Sequence, residues 1–309
     1  MTSLVRPRAL RAGDLVGICA PAGAVEEESV EAGAAVLRGM GFDVRLAPSL
    51  LTRHLFTAGT AAARLHDLHA LFEDDRVRGI VCARGGAGSA SLLPALDAAL
   101  VRRHPKVVVG YSDITFLHLF LGAQGLVTFH GPMAARELAG GTYEPDSFWT
   151  AVTGNGAPYE TAPGGLTVLR RGTAEGRLRG GCLSILAAAA GTPWAFRADA
   201  EGSILFLEDI DERPYRIDRM LFQLRAAGAF EGVRGIVFGE MKGCAAAATD
   251  AFTLEQVIGE ALSGLSLPIA LGLPSGHTTA PCVTLPLGVR ARLDCDGPGG
   301  LHILEAGVS

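Results

Sequence analysis

Short apolar runs alternate with helical segments through the first 135 residues, and this alternation is the strongest constraint on the fold. The runs Leu15–Cys19, Val77–Cys82 and Val107–Val109 have the length and β-branched content of buried strands. Segments with helical periodicity, such as Ala61–Phe72, lie between them. Because repeated strand–helix pairs build parallel sheets, the sequence predicts a doubly wound α/β domain with its functional site at the carboxyl ends of the strands.

The rest of the chain has a different character. Residues 141–165 are rich in Gly, Pro and Thr and carry no long apolar pattern, which is typical of a linker. Apolar strands and helices return afterwards, and the C-terminal end is rich in strands. We therefore predict a Rossmann-like α/β domain at 1–140 and a strand-rich α+β domain at 166–309. A hairpin of Leu166–Leu169 and Gly176–Leu178 should open the second domain.

Composition excludes several classes of partner. The 309 residues carry a net charge of −5, whereas nucleic-acid binding needs a basic face. The apolar runs fall short of the roughly 20 residues that span a bilayer, so we expect no membrane partner. Asp14 interrupts the weak signal-like pattern near the N-terminus, and the six cysteines form no C-x-x-C pair. We expect a cytoplasmic protein that has reduced thiols, no cofactor and no metal.

Ser112 lies between a predicted strand and a predicted helix. Val107–Val109 ends at Gly110, which allows a sharp turn, and a helical pattern begins near Thr115. Helix N-termini offer unpaired N–H groups and a positive dipole end, which suits a nucleophile whose transition state is an oxyanion. Since Ile114 stands where the second Gly of a G-x-S-x-G elbow would be, an ordinary turn with Ser112 as helix cap is the alternative.

A serine nucleophile needs a base and an orienting carboxylate. Of eight histidines, His130 stands at a strand end and His277 stands in a loop of turn residues that has no packing need for an imidazole. The strand Ile204–Leu207 runs directly into Glu208 and Asp209, which alternation sends to opposite faces. One acid could orient a histidine while the other binds backbone; the alternative is a solvated acidic turn.

The run Arg84–Ser89 contains three glycines after a strand. Such a run lets N–H groups converge on an anion, as in a phosphate nest. It lacks the third Gly of G-x-G-x-x-G and the Lys of a P-loop, so an oxyanion or a carboxylate fits as well as a phosphate. Two further readings stay open: a simple tight turn, and a non-catalytic α/β module that binds nucleotides or sugar phosphates.

Several blocks of sequence, taken in order, resemble the LD-carboxypeptidase family of serine peptidases, which includes the microcin C immunity peptidases. The blocks are Ala20–Gly23, Ala83–Ser89, Gly110–Asp113, His130–Pro132, Gly180–Leu183, Phe206–Ile210 with Tyr215–Arg219, and Gly276–His277. The resemblance covers nearly the whole chain. It departs at Cys182, where the family usually has Asn, and at Ala87 and Ser91, where many relatives carry an aromatic residue and Arg.

The resemblance implies a catalytic triad of Ser112 as nucleophile, His277 as base and Glu208 as its orienting acid. It also implies an oxyanion hole formed by the N–H groups of Gly86 and Asp113. The implied reaction is hydrolysis of an amide bond next to a free C-terminal carboxylate, most simply release of terminal D-Ala from murein tetrapeptide during peptidoglycan recycling. The implied alternative substrates are acyl-aspartyl or acyl-glutamyl nucleotides. A homodimer is expected on the same grounds.

Overall fold

The computed structural model describes residues 4–161 and 165–309. In these ranges the strands are β1 Leu15–Cys19, β2 Asp43–Leu46, β3 Val77–Cys82, β4 Val107–Gly110, β5 Thr128–His130, β6 Tyr159–Glu160, β7 Thr167–Arg170, β8 Thr173–Cys182, β9 Ser203–Glu208, β10 Val233–Gly239, β11 Ile269–Leu273, β12 Leu285–Leu287, β13 Arg290–Asp294 and β14 Gly300–Ile303. The α-helices are α1 Glu27–Gly39, α2 Ala61–Glu73, α3 Ala98–Arg103, α4 Thr115–Ala123, α5 Pro145–Thr153, α6 Leu183–Ala189, α7 Pro214–Ala226 and α8 Leu254–Ala261.

The chain divides into two compact units. Unit 1 contains the chain up to Gly156 together with Cys282–Gly288 and Ala306–Ser309, and unit 2 contains Ala157–Pro281 and Val289–Glu305. The division differs from the predicted boundaries, because two C-terminal segments belong to unit 1.

Unit 1 is built on a six-stranded sheet in the order β12-β5-β4-β3-β1-β2. Strands β1 to β5 are parallel, and their order of 2-1-3-4-5 is that of a doubly wound sheet. The predicted α/β class is therefore confirmed. Strands β1, β3 and β4 are almost wholly buried, as expected for parallel strands covered on both faces.

Strand β12 pairs antiparallel with β5 at one edge of this sheet. The sequence predicts a strand at Cys282–Leu285 within the second domain, whereas β12 spans Leu285–Leu287 and belongs to unit 1. Apolar patterning identifies a buried strand without naming the strand it pairs with.

Helix α5 occupies part of the predicted linker 141–165, which is therefore not an unstructured connection. Glu144 caps the helix by accepting from the backbone N–H groups of Asp146 and Ser147, and Phe148 is buried. The helix is short and has glycines near both ends, so its composition reads as a loop. Residues 162–164 of the predicted linker lie outside the described residues.

Unit 2 is built on an eight-stranded sheet in the order β6-β14-β13-β8-β9-β10-β11-β7. Its centre, β8 to β11, is parallel, with α6, α7 and α8 forming the successive crossovers, while the outer strands are antiparallel. The strand-rich second domain is confirmed. The predicted hairpin is wrong, because β7 pairs with β11 while β8 pairs with β9 and β13.

Helix α1 shows how closely unit 1 is packed. Glu27 and Glu28 favour its N-terminus, and Val30, Gly33, Ala34 and Leu37 form its buried face. Residues Ala134–Leu138 form one π-helical turn that packs on this face. A Cβ atom on Gly33 would lie 1.9 Å from the carbonyl oxygen of Ala134, so only glycine fits there.

Two glycines of α1 give a matched test of this packing. We expect Gly33→Ala to lower the free energy of unfolding by about 1–3 kcal/mol, because the backbone of the π-helical turn must move. Gly39→Ala, where a Cβ would meet nothing within 4 Å, should be neutral or stabilise by up to about 1 kcal/mol. Urea unfolding of both variants measures the difference, and equal effects would contradict the contact.

Candidate active site

Ser112 lies at the sharp corner that the sequence predicts between strand and helix. It follows β4 by two residues and begins a 3₁₀ turn, Ser112–Ile114, that leads directly into α4. Its φ angle is +64°, in the left-handed region that a non-glycine residue occupies at a cost of about 1–3 kcal/mol. The residue is half-buried. A strained, partly accessible serine of this kind is typical of a functional corner.

The glycine that faces Ser112 is Gly85, which sequence reasoning did not single out. A Cβ at Gly85 would lie 2.7 Å from Cβ of Ser112 and 2.9 Å from its Oγ. Gly86, the predicted oxyanion donor, is exposed and has a φ of +103°; a Cβ there would first meet Gly23 Cα at 3.4 Å. Gly85 therefore provides the space for Ser112, and Gly86 provides the left-handed turn.

Asp113 connects the start of α4 to the loop Arg84–Ser89, which we call the glycine loop. Its Oδ2 accepts from the Ser89 N–H at 2.8 Å, and its carbonyl oxygen accepts from the Ser89 hydroxyl at 2.6 Å. Both residues are buried. These two bonds, both donated by Ser89, connect the loop after β3 with the turn after β4, and they keep Ser112 beside Gly85.

Arg64 holds the other side of the glycine loop. Its buried guanidinium donates to the carbonyl oxygens of Gly88, at 2.9 Å, and of Pro21. Burial lowers the pKa of Arg64, and the nearby Asp113 carboxylate opposes this shift. The Gly23 N–H also donates to the Gly85 carbonyl oxygen at 3.0 Å, so the loops after β1 and β3 are joined.

A buried polar network lies behind the corner. The Tyr111 hydroxyl donates to Glu137 Oε1 at 2.6 Å, and the Met133 N–H donates to Oε2 at 3.1 Å. His118 lies 2.8 Å from the Gly110 carbonyl oxygen through Nε2, which must carry the proton because a carbonyl only accepts. Burial lowers the pKa of His118 to about 3, so its imidazole is neutral. These groups fix the residues on both sides of the β4 end.

Unit 2 brings together Glu208 and His277. Glu208 is the last residue of β9 and is fully buried. Its Oε2 accepts from the backbone N–H of His277 at 3.0 Å and lies 2.8 Å from Nδ1 of the same residue. Because a carboxylate only accepts, Nδ1 carries a proton, which leaves Nε2 of the neutral imidazole as the basic nitrogen.

Two glycines make room for this pair. A Cβ on Gly276, whose φ is +85°, would lie 2.5 Å from Cδ of Glu208, and a Cβ on Gly239 would lie 2.7 Å from Cβ of Glu208. The loop that carries His277 can therefore approach the strand end only with glycine at position 276. The side chain of His277 keeps 15% exposure, whereas that of Glu208 has none.

Asp209 accepts hydrogen bonds from backbone groups rather than from His277. It accepts from the backbone N–H of Ser184 at 2.7 Å and from its own neighbour Ile210 at 3.0 Å. Burial raises the pKa of Asp209, and the two backbone bonds oppose that shift. Glu208 thus binds the histidine side chain, and Asp209 binds backbone N–H groups. This is one of the two assignments that strand alternation allowed.

The remaining histidines do not form a metal site among the described residues. His130 is fully buried, and His69 accepts from the Asp97 N–H at 3.1 Å. Within residues 4–161 and 165–309, no group of three or more His, Cys, Asp or Glu side chains could hold a metal ion. No helix in the same ranges is both long and apolar enough to cross a membrane.

Comparison with known families decides what kind of protein this is. The family model of the LD-carboxypeptidase N-terminal domain matches residues 16–131, and that of the C-terminal domain matches residues 175–293. The chain belongs to the LD-carboxypeptidase family. As a family member it is a peptidase, and the matched ranges contain Ser112, Glu208 and His277.

Two relatives of this chain are named for murein peptides. The probable murein peptide carboxypeptidase of Bacillus subtilis strain 168 is 37% identical over 309 residues, which cover 98% of this chain and 95% of that protein. The crystal structure of the muramoyltetrapeptide carboxypeptidase from Oxalobacter formigenes matches at 31% identity with a TM-score of 0.85, covering 94% of this chain and 99% of that one.

A second kind of relative shares the fold. The microcin C7 self-immunity protein MccF, in complex with glutamyl sulfamoyl guanosine, matches at 26% identity with a TM-score of 0.86. The match covers 98% of this chain and 99% of that one. The family therefore includes proteins named for murein peptides and a protein solved with an aminoacyl nucleoside analogue.

Alanine substitutions at Gly276 and Gly272, which both have a positive φ, test how tightly Glu208 is packed. Gly276→Ala should lower the free energy of unfolding by about 1–3 kcal/mol more than Gly272→Ala, because the new methyl group displaces Glu208. Gly272 has a φ of +103° but nothing within 4 Å of a Cβ, so it controls for backbone strain. Urea unfolding gives the comparison. Similar destabilisation by both would show that strain alone matters.

Proposed function

We propose that this protein is a serine carboxypeptidase that releases terminal D-Ala from murein tetrapeptide. The observation that carries the proposal is the Glu208–His277 pair, in which a buried carboxylate accepts from Nδ1 and leaves Nε2 as a base. An imidazole so oriented is the general base of serine hydrolases. The relatives named for murein peptides supply the substrate class.

In the proposed reaction, Ser112, His277 and Glu208 act as one catalytic unit. Nε2 of His277 takes the proton of the Ser112 hydroxyl while Oγ attacks the carbonyl carbon of the scissile amide. The same proton passes to the leaving nitrogen, D-Ala departs as a free amine, and an acyl-enzyme remains. Water then attacks that ester, giving its proton to His277, and Ser112 and the shortened peptide are regenerated. Glu208 stabilises the imidazolium in both steps.

We further propose that the backbone N–H groups of Gly86 and Asp113 bind the developing oxyanion. In support, Gly86 is exposed, and its N–H has no acceptor within residues 4–161 and 165–309. Asp113 stands at the start of the turn that leads into α4, where N–H groups and the helix dipole favour negative charge. Such donors typically contribute about 10²–10³ to kcat each.

Hydrolysis of an acyl-aspartyl or acyl-glutamyl nucleotide is the second candidate. The likeness to MccF solved with an aminoacyl nucleoside analogue favours it, and Trp194, half-buried in a turn after α6, offers a ring on which a base could stack.

The expectations of a cytoplasmic protein and of a homodimer are part of the same proposal. In support of the first, none of the six cysteines, all within the described residues, is part of a disulfide bond.

The deciding experiment compares substrates directly. The wild-type chain and Ser112→Ala are each incubated with murein tetrapeptide and with a peptidyl-aspartyl nucleotide, and the products are identified by mass spectrometry. We expect loss of one alanine from the tetrapeptide with wild type alone. Cleavage of the nucleotide only would select the second candidate. Cleavage of neither, with a melting temperature raised by phosphate ligands, would support a non-catalytic phosphate-binding module.

The three triad residues should behave as one kinetic unit. Ser112→Ala, His277→Ala and Glu208→Ala should each lower kcat by roughly 10³-fold or more. Because residues that act together lose rate non-additively, the Ser112→Ala, His277→Ala double variant should be little slower than either single variant. Single-turnover kinetics measures this. Losses that multiply in the double variant would refute the joint role.

Neutralising Glu208 and neutralising Asp209 should affect kcat to different extents. Glu208→Gln should impair kcat strongly, since an amide can hold the wrong imidazole tautomer, whereas Asp209→Asn should cost less activity. Asp209 accepts from the backbone N–H groups of Ser184 and Ile210, neither of which is in the proposed triad. Steady-state kinetics of both variants, with circular dichroism to confirm folding, makes the comparison. An inactive Asp209→Asn beside an active Glu208→Gln would reverse the assignment.

A further inference from the structure

Glu240 is a second carboxylate at the end of a central strand of unit 2. It follows β10 directly, and β10 lies beside β9, whose last residue is Glu208. Among residues 4–161 and 165–309, the donors to Glu240 all lie in the segment that follows His277. Its Oε1 accepts from the Thr278 hydroxyl and from the Ala280 N–H at 3.2 Å. Its Oε2 accepts from the Thr279 N–H and from the Thr279 hydroxyl, both at 2.7 Å.

The segment 277–280 is therefore fixed on two carboxylates from adjacent strand ends. Glu208 holds the backbone N–H and Nδ1 of His277, while Glu240 holds the N–H groups of Thr279 and Ala280. Glycine at position 276 lets the chain turn immediately before the histidine. With both ends of so short a segment bound, the backbone at His277 has little freedom to move.

The backbone after Glu240 is strained in the same region. Met241 has a φ of +52° and Asp211, in the loop after β9, has a φ of +56°. The Asp211 N–H donates to the carbonyl oxygen of Lys242 at 2.8 Å, which ties the two loops together. Non-glycine residues keep such angles only where neighbouring contacts over-determine the conformation, and they gather at functional sites.

An ionised carboxylate accepts from all four donors around Glu240 at once. Each of its two oxygens receives one backbone N–H, from Ala280 on Oε1 and from Thr279 on Oε2. Hydroxyl groups can rotate to accept a bond, whereas a backbone N–H cannot. A glutamine in either orientation would place its NH₂ group against one of these N–H groups. Partial burial alone would raise the pKa of Glu240, but the hydrogen bonds from Thr278, Thr279 and Ala280 outweigh it and lower the pKa.

We propose that Glu240 is a positioning residue for His277, acting through the hydrogen bonds that it accepts from Thr278, Thr279 and Ala280. This inference rests on the proposed function, in which His277 is the general base. In this inference two acids determine the orientation of the His277 imidazole. Glu208 sets the tautomer of the ring, and Glu240 sets the path of the backbone that carries His277. Glu240 itself touches no reacting atom.

The test is Glu240→Gln assayed on the murein tetrapeptide. Misplacement of a catalytic group by about 1 Å can cost up to about 10²-fold in rate, so we expect kcat to fall by roughly 10- to 100-fold with KM changed by less than about threefold. Glu260→Gln, which removes the same charge from an exposed position on α8, is the matched control and should match wild type. Thr279→Ala, which removes one of the bonds at an exposed residue, should give a smaller loss of kcat in the same direction.

Two further readouts do not depend on activity. In wild type, the Nδ1 proton of His277 should give a downfield NMR signal, and the amide protons of Thr279 and Ala280 should exchange slowly. In Glu240→Gln, the signal should broaden or shift, and both amides should exchange faster, while the melting curve stays cooperative. If Glu240→Gln does not fold, the same measurements on Thr279→Ala decide.

The outcomes separate this inference from the proposed function. A wild type that does not cleave the tetrapeptide refutes the proposed reaction, and the NMR and exchange results then judge Glu240 alone. Unchanged NMR and exchange in Glu240→Gln, or a kcat within about twofold of wild type, would overturn the positioning role. A loss confined to KM would overturn it as well, because it would indicate substrate binding.

Discussion

The buried carboxylate of Glu208 is the constraint on which much of unit 2 depends. A charged group without exposure to water is costly unless donors replace its hydration. His277 provides two such donors to one oxygen, its backbone N–H and Nδ1. The glycines at 239 and 276 are needed because the carboxylate lies against the neighbouring strand end and against the turn before the histidine. The local sequence is therefore dictated by the need to bring donors to one acid.

In unit 1 the main constraint is that Ser112 has a φ of +64°. Nothing in the local sequence favours that angle for serine, so neighbouring contacts must maintain it. Asp113 and Ser89 bond each other on one side, and Tyr111 is fixed by Glu137 on the other. Gly85 completes the arrangement, since any side chain there would push Ser112 out of its corner. The strain at one residue is thus opposed by hydrogen bonds that lie outside it.

Much of this organisation could be predicted from the sequence. Strands β1 and β3 have the predicted bounds, because their apolar residues form uninterrupted runs between turn residues. Ser112 and the acid pair Glu208–Asp209 could be identified from their positions at strand ends, whereas the roles proposed for Glu208 and His277 came from a family resemblance. The pairing of β12 with β5 and the place of β7 could not be predicted, since pattern does not specify a partner strand. Gly85 and Glu240 were missed because their importance lies in contacts with distant residues.

Three acids near the ends of β9 and β10 show why composition alone cannot assign roles. Glu208, Asp209 and Glu240 are chemically similar, yet each accepts from a different set of donors. Asp209 accepts from the backbone N–H groups of Ser184 and Ile210, which fixes the start of α6. Glu208 accepts from Nδ1 of an imidazole and thereby leaves Nε2 of that ring as the basic nitrogen. Glu240 accepts from two hydroxyls and two N–H groups in one turn of chain. The direction from which the donors approach is set by parallel strands that end side by side. It decides which acid binds the imidazole and which acid binds the backbone around it.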